Sequence, residues 1–273
     1  MHTSAALHTS AAHPRLHFGL VGLALALVAA LPASADWVGK IESAHNKETY
    51  SQQGALTADL VVEFGGSTLI DGRLVMDTPG GKTRIELTGG EHAGSVMGFD
   101  GSEAWLAPAD SAFRGARFHV LTWSYFLAAP MKLSDAGTHV QPQGELPFLD
   151  GTKLAAAKLT FGDGVGDSPD DWYLLYRDRD TKRLAGMAYI VTFGKSQEKA
   201  EEEPHAIVYS GWEEVNGVWL STEWTFYDWT REKGVFGDPV GHVKLRNLRF
   251  VQFSADAFKA PEGAKAQPAP PAG

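Results

Sequence analysis

The chain has 273 residues with a formal net charge of −9 at pH 7, and 44% of its residues are hydrophobic. That content is enough for a sizeable core, and an acidic chain has little general attraction for nucleic acid or anionic lipid surfaces. The sequence contains no cysteine, which excludes structural disulfides, thiol catalysis, cysteine zinc sites and a lipid-modified cysteine anchor.

The first 35 residues have the pattern of an export signal. A segment with Arg15 and no acidic residue precedes an apolar run over residues 18–31, and Ala33, Ser34 and Ala35 then provide the small residues that signal peptidase requires. About fourteen apolar residues are too few to span a bilayer, which argues against an uncleaved anchor. We therefore expect cleavage after Ala35 and a periplasmic or secreted protein.

A short amphipathic helix is predicted next, over residues 36–46, because apolar or small side chains recur at a spacing of four and three. Alternating apolar and polar residues then predict a series of strands, most of them joined by turns too short for parallel crossovers, so the strands are expected to be antiparallel. The predicted strands cover residues 55–64, 68–77, 82–88, 95–99, 103–106, 153–161, 172–177, 184–194, 206–213, 218–229 and 240–253.

The last predicted strand changes its apolar phase between Leu245 and Leu248. One extra residue moves side chains to the opposite face of a strand, so this change predicts a β-bulge near Arg246 or Asn247.

An uncharged segment, residues 118–131, interrupts the strands and is followed by a polar segment over 132–143. We predict a helix up to Pro130 that is apolar on two sides and therefore buried on both. Roughly 18 Å of helix is too short to cross a bilayer, so we interpret it as a plug inside a protein cavity. An ordinary core helix and a partner-binding helix are the alternatives. One side carries Phe118, Leu121, Tyr125 and Phe126, and the other side carries Val120, Trp123 and Leu127.

The predicted fold class is mainly β (α+β). Residues 36–259 are expected to form one domain, because composition does not change along them, and the segment 260–273, rich in Pro and Ala, is expected to be disordered. A sheet this large must curl and have one face covered. We therefore predict a single strongly curved antiparallel sheet, a half-barrel of about 10–12 strands, with an internal plug helix and a short N-terminal helix.

Three stretches of the sequence carry a resemblance to a known family. They are residues 72–79 (GRLVMDTP) with the later turn 98–101 (GFDG), the apolar segment that ends in Pro130, and residues 209–220, which turn at Asn216 and Gly217. Together they resemble the periplasmic lipoprotein-carrier (LolA/LolB-like) superfamily over most of the mature chain.

The resemblance implies a half-barrel with a concave apolar cavity, which in several relatives receives acyl chains. Members that carry lipoproteins have a basic residue just before the proline of the first stretch, where this chain has Thr78. The resemblance therefore implies a divergent exported member of unassigned function, without catalytic activity.

The sequence shows no catalytic or metal-binding motif. It lacks the G-x-S-x-G pattern of serine hydrolases, and its histidines outside the export signal are scattered. The acidic residues of 162–171 do not have the order of a calcium loop, so we interpret this segment as a solvated loop. Paired carboxylates of a hydrolase can come from distant strands, so a cell-envelope hydrolase stays as a third hypothesis.

We hypothesise a soluble periplasmic, non-catalytic protein that binds a hydrophobic or amphiphilic ligand, such as an acyl chain, a lipid or a lipidated peptide. The alternative is an envelope protein-protein interaction module with a filled core. We expect a monomer with no cofactor or metal, no nucleic-acid partner and no stable membrane insertion. The residues predicted to line the cavity and contact the ligand are Leu60, Val62, Phe64, Leu74, Met76, Trp123, Phe126, Trp224 and Phe226.

Overall fold

The computed structural model describes residues 1–2, 33–78 and 81–270. The chain divides into two units, Met1–Leu31 and Pro32–Gly273. Residues 3–32 of the predicted export signal lie outside the described residues, so the signal stays a prediction.

The described residues contain four α-helices and thirteen strands. The helices are α1 (Ala33–Ala44), α2 (Lys47–Ser51), α3 (Ala116–Ala128) and α4 (Gln197–Ala200), with 3₁₀ turns at Ala129–Met131 and Ala255–Phe258. The strands are β1 (Ala55–Phe64), β2 (Ser67–Asp77), β3 (Thr83–Leu87), β4 (Val96–Phe99), β5 (Ala104–Ala107), β6 (Thr138–Pro147), β7 (Lys153–Phe161), β8 (Tyr173–Arg177), β9 (Leu184–Tyr189), β10 (His205–Val215), β11 (Val218–Thr230), β12 (Gly234–Val251) and β13 (Lys265–Gln267).

All thirteen strands join one open antiparallel sheet, in the order β13-β5-β4-β3-β2-β1-β12-β11-β10-β9-β8-β7-β6. Nearly all neighbours in the sheet are also neighbours in sequence, as the short turns predict. The long-range exceptions are the pairing of β1 with β12, which joins the two halves of the chain, and that of β13 with β5.

The sheet curves around α3. Ten strand spacings separate β5 from β7, which would place them about 48 Å apart in a flat sheet at about 4.8 Å per strand. A helix of this length spans only about 20 Å. Yet α3 packs against β5, and its Tyr125 ring lies 6.5 Å from the Phe161 ring on β7. The sheet therefore wraps around the helix, which confirms the predicted half-barrel.

The predicted apolar helix is confirmed as α3. It begins after Gly115, whose φ of +69° favours glycine, and it passes into a 3₁₀ turn that contains Pro130. Proline has no N–H group and its ring crowds the preceding turn, so an α-helix does not continue through it.

One side of α3 is packed against the concave face of the sheet, and it includes Phe126, which the sequence pattern had placed on the other side. Val120, Trp123, Phe126 and Leu127 are each at most 3% exposed. The Tyr209 hydroxyl on β10 donates a hydrogen bond to the Phe126 carbonyl at 2.9 Å, which fixes the position of the helix along the strands.

The end of the predicted N-terminal helix, α1, is joined to the sheet by His45. This side chain is completely buried, its Nδ1 atom lies 2.8 Å from the Trp219 carbonyl, and its Nε2 atom accepts from the Leu184 N–H group at 3.1 Å. Burial lowers the pKa of His45 to about 4. Neutral His45 therefore connects α1 to β9 and β11.

The predicted β-bulge in the last long strand is confirmed. Thr57 pairs with Arg249 and Asp59 pairs with Arg246, so β12 has one residue more than β1 between these pairs. Asn247 lies in this interval with a φ of +56°, and its side-chain amide donates to Asp59 Oδ2 at 2.6 Å.

Three expectations about secondary structure need correction. The strand predicted over 184–194 ends at Tyr189, and the polar segment 132–143 contains the start of β6. Most side chains of β6 are exposed or half-buried, so it lacks the apolar alternation that identifies a strand. Residues 265–267 were expected to be disordered but form β13 against β5, because backbone pairing does not depend on apolar side chains.

We expect Asn247→Val to lower the free energy of unfolding by roughly 1–2 kcal/mol, because a β-branched residue is strained at positive φ. Asn247→Gly is the control, since it accepts this φ and loses only the exposed hydrogen bond to Asp59, at a cost of about 0.5 kcal/mol. Denaturant unfolding measures both values. Equal losses in the two variants would contradict backbone strain at this bulge.

Candidate ligand-binding cavity

A cavity of about 660 Å³ lies between α3 and the concave face of the sheet and opens to solvent. Its lining is mainly apolar and rich in aromatic rings. Leu69 at its mouth is 40% exposed, one of the few large apolar side chains with this much exposure among the described residues.

The second apolar side of α3 forms one wall of the cavity. Phe118, Leu121 and Tyr125 are half-buried and line it, whereas the opposite side of the helix is buried on the sheet, although two of its residues, Trp123 and Phe126, also border the cavity. The sequence pattern predicted burial on both sides of this helix. The structure shows that protein covers one side and that the other side faces a partly open space.

The facing wall is built by neighbouring strands in register. Tyr173 on β8 pairs with Tyr189 on β9, and Tyr189 pairs with His205 on β10. Directly paired residues point to the same face of a sheet, so the three side chains form a row along the cavity. Phe161 on β7 extends this row, with its ring centroid 5.8 Å from that of Tyr173.

The loop over 162–171 is part of the cavity rather than a solvated loop. Val165 lines the cavity, and the Asp167 carboxylate accepts two hydrogen bonds from Arg117 in the first turn of α3, one of them 2.8 Å long. Arg117 Nη1 also donates to the Gln267 carbonyl of β13 at 3.1 Å. One arginine thus joins the helix, the loop and the last strand at this end of the cavity.

His119 is a neutral member of the cavity lining. Its Nδ1 atom accepts a hydrogen bond from Trp123 Nε1–H at 3.1 Å, so the proton of the neutral ring is on Nε2. Burial lowers the pKa of His119 to about 4, because the charged ring would lose its hydration. This part of the wall therefore carries no charge near neutral pH.

Asp171 is a partly buried carboxylate of the lining. Its Oδ1 atom accepts hydrogen bonds from the Thr192 N–H group at 2.6 Å and from the Thr192 hydroxyl at 2.8 Å. Burial raises the pKa of Asp171 to about 6 in spite of these hydrogen bonds. Asp171 therefore gains its charge only as the pH approaches neutrality.

The structure separates the nine residues predicted to contact a ligand into two groups. Phe64, Trp123 and Phe126 line the cavity, and their contact with a ligand stays a prediction. The other six do not line it, and two of them, Trp224 and Phe226, pack against aromatic rings of α3. These buried core residues are Leu60, Val62, Leu74, Met76, Trp224 and Phe226.

Sequence reasoning missed most of the lining that the structure reveals. The sequence pattern could have identified Phe118, Leu121 and Tyr125 as lining residues, since they form the second apolar side of the helix. No sequence pattern identifies Tyr173 and Tyr189 as lining residues, because alternation along a strand shows which residues share a face but not whether that face is covered.

Within the described parts of the chain, no cluster of three His, Asp or Glu side chains has the geometry of a metal site. None of the helices among these residues has the length and apolar character needed to cross a membrane.

We expect Asp171→Asn to increase the free energy of unfolding above pH 6, because Asn keeps the acceptor oxygen for Thr192 without a charge to desolvate. A carboxyl whose pKa is raised in the folded state contributes stability below its ordinary pKa of 3.8 and loses this contribution as the pH rises through about 6. The gain should reach at most about 3 kcal/mol at pH 8 and vanish below pH 4.

Denaturant unfolding at these pH values measures the effect of Asp171→Asn. The control is Asp163→Asn, which removes an exposed charge from the same loop and should have little effect. A gain for Asp171→Asn that does not depend on pH would contradict a carboxyl whose ionisation is opposed by burial.

Comparison with solved structures identifies the fold. A DUF1329 family protein from Desulfovibrio piger has a TM-score of 0.55 and 16% identity, over 83% of this chain and 97% of its own. A LolA superfamily protein from Nitrosomonas europaea has a TM-score of 0.54 and 10% identity, over 84% of this chain and 99% of its own. No protein-family model and no curated protein matches the sequence. The chain therefore has the fold of the LolA superfamily, as the sequence resemblance implied.

Proposed function

We infer that this protein is a soluble periplasmic, non-catalytic protein that binds a hydrophobic or amphiphilic ligand in the cavity beside α3. The observation that carries this proposal is an apolar space of about 660 Å³ that opens to solvent. Ligand pockets typically have volumes of about 300–1,000 Å³ and mainly apolar walls. The alternative of an interaction module with a filled core would leave less than about 300 Å³.

The affinity for such a ligand would come from removing its apolar chain from water. Each buried methylene group contributes about 0.8 kcal/mol, so ten of them contribute about 8 kcal/mol before the costs of association. Aromatic rings are frequent in the lining, and rings such as Phe118 and Phe161 bring large apolar area to the wall. The lining therefore suits an acyl chain, a lipid or a lipidated peptide.

The family resemblance supports an acyl-chain ligand, while Thr78 argues against the mode of recognition used by lipoprotein carriers. This position holds a basic residue in those carriers. Here the Thr78 side chain is 8% exposed and its hydroxyl donates to the Gln53 carbonyl at 2.7 Å. Thr78 thus stabilises the end of β2 and carries no charge for a partner.

The acidic side chains of the lining favour binding over hydrolysis. Asp135 pairs with Lys132 at 2.5 Å, Asp167 is bound by Arg117, and Asp171 accepts two hydrogen bonds from Thr192. A glycoside hydrolase needs one carboxylic acid and one carboxylate directed at the same bond. Each carboxylate of this cavity is instead engaged by its own partner.

We expect mass spectrometry to recover an amphiphile from the protein purified without detergent, because the apolar space is costly to fill with water. Leu121→Glu should lower the retained amount and weaken rebinding roughly tenfold, since it replaces an apolar contact by a charge. Leu121→Met keeps both volume and polarity and should bind as the original protein does.

Circular dichroism of both Leu121 variants checks that the fold is retained. Failure to recover or rebind any amphiphile, with the fold intact, would contradict the proposed function and favour the interaction module.

A further inference from the structure

Three tyrosine side chains line the apolar cavity, and their hydroxyls have no hydrogen-bond partner among the described residues. Tyr125 comes from α3, and Tyr173 and Tyr189 come from the paired strands β8 and β9. The Tyr125 and Tyr173 ring centroids are 5.4 Å apart, and those of Tyr173 and Tyr189 are 6.2 Å apart. The three side chains therefore form one polar cluster on otherwise apolar walls.

Other buried tyrosines on the sheet have partners. The Tyr209 hydroxyl donates to the Phe126 carbonyl, and the Tyr176 hydroxyl accepts from Trp229 Nε1–H at 2.9 Å. Buried polar groups in proteins are nearly always satisfied, because an unsatisfied group loses its hydration without compensation. The hydroxyls of Tyr125, Tyr173 and Tyr189 are not sealed from solvent, so a molecule inside the cavity, water or a ligand, has to supply their partners.

The hydroxyls of this cluster are also accessible. The Tyr50 hydroxyl shows the contrasting case, since it is sealed from solvent, has no partner among the described residues and does not line the cavity. Burial raises the pKa of Tyr125, Tyr173 and Tyr189, so all three are neutral phenols that can donate a hydrogen bond.

The charges around the cluster disfavour an anionic ligand group. Asp135, Asp167 and Asp171 line the same cavity as these tyrosines. Besides burial, Asp135 and Asp171 help to raise the pKa of Tyr125, as expected for nearby negative charge. Lys132 is the basic side chain of the lining, and it is paired with Asp135. A carboxylate or phosphate beside these tyrosines would therefore meet negative charge without a free cation.

We propose that Tyr125, Tyr173 and Tyr189 form a polar subsite that binds the uncharged oxygen atoms of an amphiphile, such as an ester or an alcohol, by donating hydrogen bonds to them. This proposal rests on the proposed function, because the subsite needs an apolar chain to occupy the rest of the cavity. It adds the chemical class of the head group, and it places that group inside the cavity beside β8 and β9 rather than in solvent.

The test compares ligands that share a ten-carbon chain and differ only in the head group. Decanol, monodecanoylglycerol, decanoate and decane compete with the uncharged fluorescent probe N-phenyl-naphthylamine for the full-length protein. We expect decanol and monodecanoylglycerol to bind more tightly than decanoate and decane.

The same ligands are then measured on Tyr125→Phe, Tyr173→Phe, Tyr189→Phe and the triple variant. Each hydroxyl that donates should account for a roughly threefold to tenfold loss of affinity for the alcohol and the ester. The affinity for decane should not change. Tyr50→Phe is the matched control, because it removes an unpartnered hydroxyl outside the cavity and should leave all four affinities unchanged.

The outcomes separate this proposal from the proposed function. Equal affinities of the triple variant and the original protein for the alcohol and the ester would overturn the subsite and leave the cavity function standing. Tighter binding of decanoate than of the ester would overturn the uncharged head group. Binding of neither the probe nor any of the four ligands by the original protein would overturn the proposed function and the subsite together.

Discussion

The packing of α3 on the concave face of the sheet is the contact on which the rest of the structure depends. Trp123 and Phe126 both lie within 6.3 Å of the Phe226 ring, measured between centroids, and the Tyr209 hydroxyl fixes the backbone of the helix. This one helix contacts strands from both halves of the chain, because the sheet bends around it. Without it, a large apolar concave face would be left in water, which few soluble proteins tolerate.

The same helix explains why a cavity exists beside it. A single helix about 10–12 Å across covers only part of a concave surface formed by ten or more strands. Its packed side carries Trp123 and Phe126, while Phe118 and Leu121 on its other side are only half-buried and line the cavity. The uncovered surface belongs mainly to β7, β8 and β9, where aromatic side chains border the remaining space.

Much of the fold was predictable from sequence, but little of the cavity was. Apolar patterning gave β1 and β7 with the bounds that the structure shows, and the change of phase before Leu248 correctly predicted a bulge near Arg246 or Asn247. These are local signals. Whether Trp224 packs in the core or Tyr189 borders open space depends on where α3 lies across the sheet, which is a long-range property. The acidic loop over 162–171 looked solvated because the partner of its Asp167, Arg117, is 50 residues away.

The open sheet has two edge strands, β13 and β6, and each has a neighbouring strand on one side only. The unpaired backbone N–H and C=O groups of an edge strand can pair with a strand of another chain, and long flat edge strands therefore promote aggregation. The edge strand β13 is only three residues long. The edge strand β6 contains Pro142, and its register with β7 is irregular between Pro142 and Gly144. Proline cannot donate to a neighbouring strand, and an irregular register bends the ladder. Neither edge of this open sheet therefore presents a long, regular row of free backbone groups to which another strand could add.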